Sequence, residues 1–244
     1  LPFLKIYTFG VLLLLAFFWG TFLLWKSFLL TSYKEEEIFD HLFFGLTGGL
    51  LVSRLVYVAL HFEAFGFSFL KFILINGYPG LSLYGFVGGF ILSIYLSMRR
   101  SKVRFIEAVD YFIPSALTAV GFGKVGAFFS GVEVGSKTDF LLKLKYVGAD
   151  GMRHLTPLYE GILFFIGALI AYQILFSIRR ERFTKGTNLY FFLWYTGVVL
   201  AIFDVLKVQE VLVFKMFSFN ALVSYLLLLT FSSYFVYYFR SSIG

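Results

Sequence analysis

Two stretches decide the class of this chain: Phe44–Leu60, FGLTGGLLVSRLVYVAL, and Tyr111–Phe129, YFIPSALTAVGFGKVGAFF. Each reads as a membrane-embedded helix, yet each carries a bare cation, Arg54 in the first and Lys124 in the second. A cation at mid-bilayer depth costs at least about 2.5–3.5 kcal/mol, so it faces a partner or a wet cavity. Gly121, Gly123 and Gly126 surround Lys124, and Asp110, Glu133 and Glu160 follow or precede it in the chain. The pattern points to a cavity that holds an anion, and the abundant anion at that depth is a lipid phosphate. The competing reading makes Arg54 and Lys124 halves of structural ion pairs with Asp110 or Glu160.

Composition agrees with a membrane protein. Hydrophobic residues make up 59% of the 244 and charged residues only 14%, against about 25% charged in a soluble domain. No cysteine is present, which excludes disulfides, thiolate metal sites and a cysteine nucleophile. His41, His61 and His154 lie far apart with no metal-ligand spacing, so no metal and no cofactor is expected. The net charge of +7 sits in basic residues clustered between apolar spans, which reads as orientation charge and not as a nucleic-acid surface. The 35 phenylalanines are read as lipid-facing bulk.

A spanning helix needs about 20 mostly apolar residues. On that rule the chain is expected to be an all-α integral membrane protein of about seven spans. These run approximately Phe3–Leu30, Ile38–Phe62, Leu81–Met98, Tyr111–Phe129, Leu158–Phe176, Leu189–Leu206 and Phe217–Phe239. The first is read as a retained helix, because its apolar run is too long for a cleaved signal peptide and no small-residue cleavage site follows. The chain begins without Met, so a few residues are expected to precede Leu1. Arg99, Arg100, Lys102 and Arg104 follow span three, and Arg179, Arg180, Arg182 and Lys185 follow span five. Lysine and arginine in short loops mark the cytoplasmic side, which puts the N-terminus outside and the C-terminus inside. The whole chain, 1–244, is expected to be a single polytopic membrane domain. Its longest connections, 63–80 and 130–157, would form a small extracytoplasmic cap.

Gly45 and Gly49, Gly85 and Gly89, and Gly131 and Gly135 show the small-residue spacing of closely packed membrane helices. The glycines around Lys124 either serve the same packing or clear room for a head group. Asp110 follows a basic loop and is open to pairing with Arg104. Arg153 and His154 precede span five and alone would read as an interfacial anchor, and His41 and His61 are placed at membrane interfaces.

From about Gly45 to Glu160 the chain resembles the prolipoprotein diacylglyceryl transferases of bacterial inner membranes. SRLVYV, with Arg54 and Tyr57, resembles that family's G-G-R-x-x-Y-V segment, and SLYGF at Ser82–Phe86 resembles S-F-H-G-G. VDYFIP, with Asp110 and Pro114, is similar to D-x-x-x-P. GKVGAFFSGVE at Gly123–Glu133 resembles the signature G-R-x-G-N-F-x-N-x-E, and RHLTPLYE at Arg153–Glu160 resembles R-H-P-S-Q-L-Y-E. Order, spacing and sidedness agree. The resemblance implies transfer of the diacylglyceryl group of phosphatidylglycerol to the thiol of a lipoprotein-precursor cysteine, with release of glycerol phosphate. It implies a multi-pass protein of the bacterial inner membrane whose partners are phosphatidylglycerol, surrounding membrane lipid and the precursor's signal peptide. The chain is expected to act as a monomer.

The departures are specific. The family's histidine is Tyr84 here, its signature arginine Lys124, its asparagines Ala127 and Ser130, and its glutamate Val132 with Glu133 one residue later. Tyr195 matches a tyrosine of span six, but Val199 stands where an arginine follows it, and Asp204 and Lys207 can supply charge nearby. Carried over residue by residue, Tyr84, Lys124, Glu133, His154 and Glu160 are the catalytic candidates. Arg54, Lys124, Arg153, Tyr57, Gly123 and Gly126 are the phosphate-binding candidates, and Asp110, Tyr159 and Tyr195 are supporting ones. Lysine neutralises phosphate as a point charge but lacks the arginine fork. Tyrosine, with a reference pKa near 10, is a hydrogen-bond donor and not a base at neutral pH, so a base would be Glu133, Glu160 or His154. Three readings stand: an active transferase, a paralogue of altered chemistry that binds phospholipid without this transfer, and a membrane transporter. No clear inverted repeat supports the third.

Overall fold

The computed structural model describes residues 8–75, 77–208, 212–213 and 217–243. Nine helices are present among them: α1 Thr8–Phe28, α2 Glu35–Leu60, α3 Phe62–Phe65, α4 Phe69–Ile73, α5 Leu83–Arg100, α6 Phe105–Ser130, α7 Thr156–Arg179, α8 Thr187–Asp204 and α9 Phe219–Ile243. Two short antiparallel hairpins complete them: β1 Lys143–Leu144 with β2 Arg153–His154, and β3 Leu212–Val213 with β4 Phe217–Ser218.

Seven of the nine helices have 18 residues or more, one for each expected span. Six are long and apolar enough to cross a membrane: α1, α2, α6, α7, α8 and the Phe219–Tyr238 part of α9. The eighteen-residue α5 is not among these, since Arg99 and Arg100 form its last turn and lower its mean hydropathy. The boundaries move for local reasons. The α6 helix starts at Phe105, six residues before the expected Tyr111, because the amphipathic turn Phe105–Asp110 continues the helix past its apolar run. The last helix starts at Phe219 because Phe217 and Ser218 are spent on β4. The expected span-one residues 3–7 lie outside the described residues.

The chain forms two compact units, residues 31–108 and residues 1–30 with 109–244. In the first, α2 and α5 pack through their small residues. A Cβ on Gly89 would lie 2.8 Å from the Gly48 carbonyl oxygen and 2.5 Å from the Val52 Cβ, so the backbones meet directly there. Gly45, Gly49 and Gly85 are similarly crowded by the partner helix, as their spacing predicts. His41 is buried in α2, with its Nδ1 2.8 Å from the Ser97 hydroxyl. From α2 the side chain of Arg54 reaches the connection between α2 and α5. His61 stacks on the Tyr57 ring at 4.1 Å.

In the second unit, α6 and α7 approach closely where a Cβ on Gly161 would lie 3.2 Å from the Gly121 carbonyl. The α7 and α8 helices meet where the Tyr195 ring covers Gly167, and the Tyr195 hydroxyl donates to Leu163 O at 2.6 Å. The expected helical pair Gly131 and Gly135 is not helical. Gly131 lies just past the end of α6 with φ +67°, and Gly135 bridges to Lys207 in extended backbone. Gly131 thus ends the helix in the left-handed conformation that glycine adopts without strain.

Pro114 sits inside α6. Its missing N–H leaves the carbonyl of the residue four earlier, Asp110, without a helical donor, and the Asn188 side-chain amide donates to that carbonyl at 2.9 Å. The Asp110 carboxylate accepts from the backbone N–H groups of Gly186 at 2.6 Å, Asn188 at 3.1 Å and Leu189 at 3.3 Å, capping the start of α8 from another helix. A carboxylate there satisfies orphan donors and complements the helix dipole. Asp110 therefore does not pair with Arg104, which instead pairs with Glu107 at 3.1 Å.

Candidate functional site

The second unit gathers charge at one place. Lys124, near the end of α6, lies 2.8 and 2.7 Å from the two carboxylate oxygens of Glu133 and 2.9 Å from Glu160 Oε2. Lys207, three residues past α8, lies 2.6 Å from Glu160 Oε1 and 3.6 Å from Glu133 Oε2. Lys124 donates hydrogen bonds to Glu133, whereas the contacts of Glu160 are ion pairs by distance without hydrogen-bond geometry. Two cations and two carboxylates cancel, which is how buried charges are tolerated in an apolar setting.

Local structure brings them together. After α6 the chain reverses at Gly131, so Glu133 returns to the helix it has just left. Ser136 N–H donates to Leu206 O at 2.8 Å, and His154 N–H donates to Ser136 O at 3.1 Å. Thr156, the first residue of α7, donates its hydroxyl to Leu206 O at 3.2 Å. The strand-like segment 135–137 is thereby pinned between the start of α7 and the residues after α8. Gly135 is required for this, since a Cβ there would lie 2.4 Å from His154 O.

The cluster is graded in exposure. Glu160 is fully buried and Lys124 nearly so, with side chains 0% and 8% exposed, whereas Lys207 is at 18% and Glu133 at 38%. Burial pushes the Glu133 carboxyl up, but the Lys124 and Lys207 ammoniums outweigh it and hold the group well below the usual carboxylate range, at about 2. Such a carboxylate is an anion at all physiological pH and a poor proton acceptor.

Tyr159 and Leu206, the residues just before Glu160 and Lys207 in the chain, line an apolar pocket of about 380 Å³ together with Phe140, His154 and Phe203. Tyr159 closes one side, its hydroxyl donating to Leu142 O at 2.8 Å and its ring 5.8 Å from that of Phe203. His154 Nδ1 is buried with no hydrogen-bond partner among the described residues. Arg153 donates from Nη1 to Gly135 O at 3.2 Å, and its buried Nε has no partner among the described residues.

The sequence candidates divide accordingly. Lys124, Glu133 and Glu160 come together, and Arg153, His154 and Tyr159 stand beside them on β2 and the first turn of α7. Lys124 carries the ion pairs foreseen as the competing reading, to Glu160 as named there and to Glu133 in addition. Gly121 and Gly126 serve helix packing, under Phe165 and against Phe9 and Leu12, while a Cβ on Gly123 would meet no atom of the described residues. Asp110 and Tyr195 act elsewhere in the bundle. Asp110 is fourteen residues from Lys124 on one helix, about 21 Å by helical rise. Lys207 belongs to the cluster although only its charge near span six marked it, and Asn188 was not singled out.

Arg54, Tyr57 and Tyr84 belong to the other unit. Arg54 donates from Nε to Phe72 O at 2.9 Å, from Nη1 to Gly80 O at 2.8 Å and from Nη2 to Lys71 O at 2.7 Å. Its fork thus ties the segment 71–80 back onto α2, and the Phe65 ring lies 5.0 Å from the guanidinium carbon. The Tyr57 ring fills the space beside Gly80, where a Cβ would be 2.0 Å from it. Tyr84 is buried in the first turn of α5.

The model of the prolipoprotein diacylglyceryl transferase family matches residues 1–237. Among curated proteins, the chain is 27% identical over 205 residues to the phosphatidylglycerol–prolipoprotein diacylglyceryl transferase of Clostridium tetani, covering 82% of this chain and 81% of that protein. It is 28% identical over 182 residues to the enzyme of that name from Idiomarina loihiensis, covering 74% of this chain and 66% of that one. It is 24% identical over 208 residues to the second such transferase of Clostridium perfringens, covering 80% and 77%. With the match covering α1 to α8, most of α9 and all four charged residues of the cluster, the chain belongs to the prolipoprotein diacylglyceryl transferase family of membrane enzymes.

Proposed function

We propose that this protein transfers the diacylglyceryl group of phosphatidylglycerol to the thiol of a lipoprotein-precursor cysteine. The thiolate sulfur attacks the glyceryl carbon that bears the phosphate ester. The carbon–oxygen bond breaks, glycerol phosphate leaves with the electron pair, and a thioether forms. A thiol with a reference pKa of about 8.5 must lose its proton on the way. Glu133 is too acidic for that task, and Glu160 is held between two ammoniums. His154, with an unpartnered nitrogen on the wall of an apolar pocket, is the base this reading favours. Lys124 and Lys207 supply the positive charge for the leaving phosphate, and Arg153, whose Nη1 donates to Gly135 O, is held on the segment that bridges to Lys207. The observation that carries the reading is the buried charge cluster built from two of the segments that resemble the family's motifs, within a family match to residues 1–237.

The protein is placed by this reading in the bacterial inner membrane as a monomer with seven spans, α5 included, its N-terminus outside and its C-terminus in the cytoplasm. Segments 63–80 and 130–157 then form an extracytoplasmic cap on a single membrane domain. A second reading keeps phospholipid binding without this transfer. It is favoured by one observation: Lys124 is engaged by carboxylates where a family arginine would offer its fork to phosphate.

Complementation of a transferase-depleted bacterium tests the proposal. Restored growth with thioether lipidation of a reporter lipoprotein is the expected result. An inserted, full-length protein that leaves the reporter unmodified would select the second reading.

A further inference from the structure

We infer that Glu133 is an exchangeable counter-ion: a phosphate ester takes its place between Lys124 and Lys207, and Lys207 is the second cation of that site. This rests on the phosphate-binding part of the proposed function and specifies how the site opens.

The two carboxylates of the cluster are not equivalent. Glu160 projects from the first turns of α7, is fully buried, and touches both ammoniums, one with each oxygen. It is a fixed counter-ion, and removing it would leave two ammoniums to share the single carboxylate of Glu133. Glu133 lies outside any helix, two residues past the left-handed turn at Gly131, and its side chain is 38% exposed. Of the two carboxylates only Glu133 has a route to water, so it can leave, once another anion takes over its ammonium contacts, while Glu160 stays in place.

Charge and shape both suit a phosphodiester in its stead. A phosphodiester monoanion carries one negative charge, as the carboxylate does, so exchange leaves the cluster neutral. It also presents two non-bridging oxygens on one atom, the same arrangement by which Glu133 reaches Lys124 at 2.8 and 2.7 Å. Lys207, 3.6 Å from Glu133 and 18% exposed, stands on the open side, where an incoming anion would meet it before Lys124. Free phosphate monoesters share this chemistry with a lipid head group, and the experiment separates the two.

The test uses the full chain in lipid nanodiscs as wild type, Glu133→Gln and Lys207→Gln. Two probes are titrated, soluble glycerol phosphate and phosphatidylglycerol in the disc. Exchange predicts that Glu133→Gln tightens binding by about tenfold and Lys207→Gln weakens it by about tenfold. Opposite signs are diagnostic, because a purely structural ion network would lose affinity in both variants. Should Glu133→Gln not fold, Glu133→Asp, which keeps the charge but shortens its reach, shifts affinity in the same direction by less. A change confined to glycerol phosphate identifies a soluble ligand, and a change with both probes identifies the lipid. Affinity that is unchanged or reduced in both Glu133 variants, or indifferent to Lys207→Gln, overturns the inference. Thioether formation is scored separately, so loss of the transferase reading and loss of the exchange site remain distinguishable.

Discussion

Lys124 and Arg54 answer the same physical demand in different ways. A cation in an apolar stretch has to find acceptors. Lys124 finds two carboxylates, whereas Arg54 finds three backbone carbonyls spread over ten residues. Carboxylate partners leave a trace in the sequence; carbonyl partners leave none, so the clamp of Arg54 on segment 71–80 was not legible. Lys124→Gln leaves Glu133 and the fully buried Glu160 with Lys207 alone. The expected loss of stability is at most about 3–5 kcal/mol, while Lys124→Arg keeps the charge and most of the stability. Thermal unfolding in detergent measures both, and an unchanged midpoint for Lys124→Gln would contradict the coupling drawn here. Glu133 gives a pH signature. Its pKa is depressed from the ordinary 4.5 to about 2, so its contribution is fully present above 4.5 and fades as pH falls through about 2. The midpoint difference between wild type and Glu133→Gln should therefore be constant above that range and shrink toward pH 2. A difference that grows on acidification would refute the assignment.

At the scale of elements, the connection between α6 and α8 offers the sharper test. Pro114 frees the Asp110 carbonyl, Asn188 satisfies it, and the Asp110 carboxylate caps α8. The spacing D-x-x-x-P carried this signal, because proline always orphans the carbonyl four residues earlier. What the spacing could not show was the donor, which comes from a residue 78 positions away. Asn188→Ala should destabilise the protein by about 1–3 kcal/mol by leaving buried acceptors unpaired. Pro114→Ala restores a backbone donor to Asp110, so Asn188→Ala should cost less in that background. The double-mutant cycle reads this directly, and additive effects would mean that Asn188 does not serve the proline break.

At the scale of the molecule, the long helices were legible because an apolar run of membrane length has few alternatives. The charge cluster was legible only in part. Lys124 announced itself by its apolar surroundings and Glu160 by its motif, but Glu133 is displaced by one residue from the family's position and Lys207 arrives from beyond α8. Only the reversal at Gly131 and the Gly135–Lys207 bridge bring those two in. The proposed topology is checked on a chain that contains no cysteine, so each introduced thiol reports alone. Ser136→Cys should react with an impermeant maleimide from outside and Ser101→Cys only from the cytoplasm, and the reverse pattern would overturn the orientation. The central claim, that this is a working diacylglyceryl transferase, is met most directly with the purified protein, phosphatidylglycerol and a signal-peptide fragment bearing its lipidation cysteine. Mass spectrometry is expected to show a peptide carrying one diacylglyceryl thioether, with glycerol phosphate released in equal amount. Phosphatidylglycerol bound by the protein but no thioether on the peptide would contradict it.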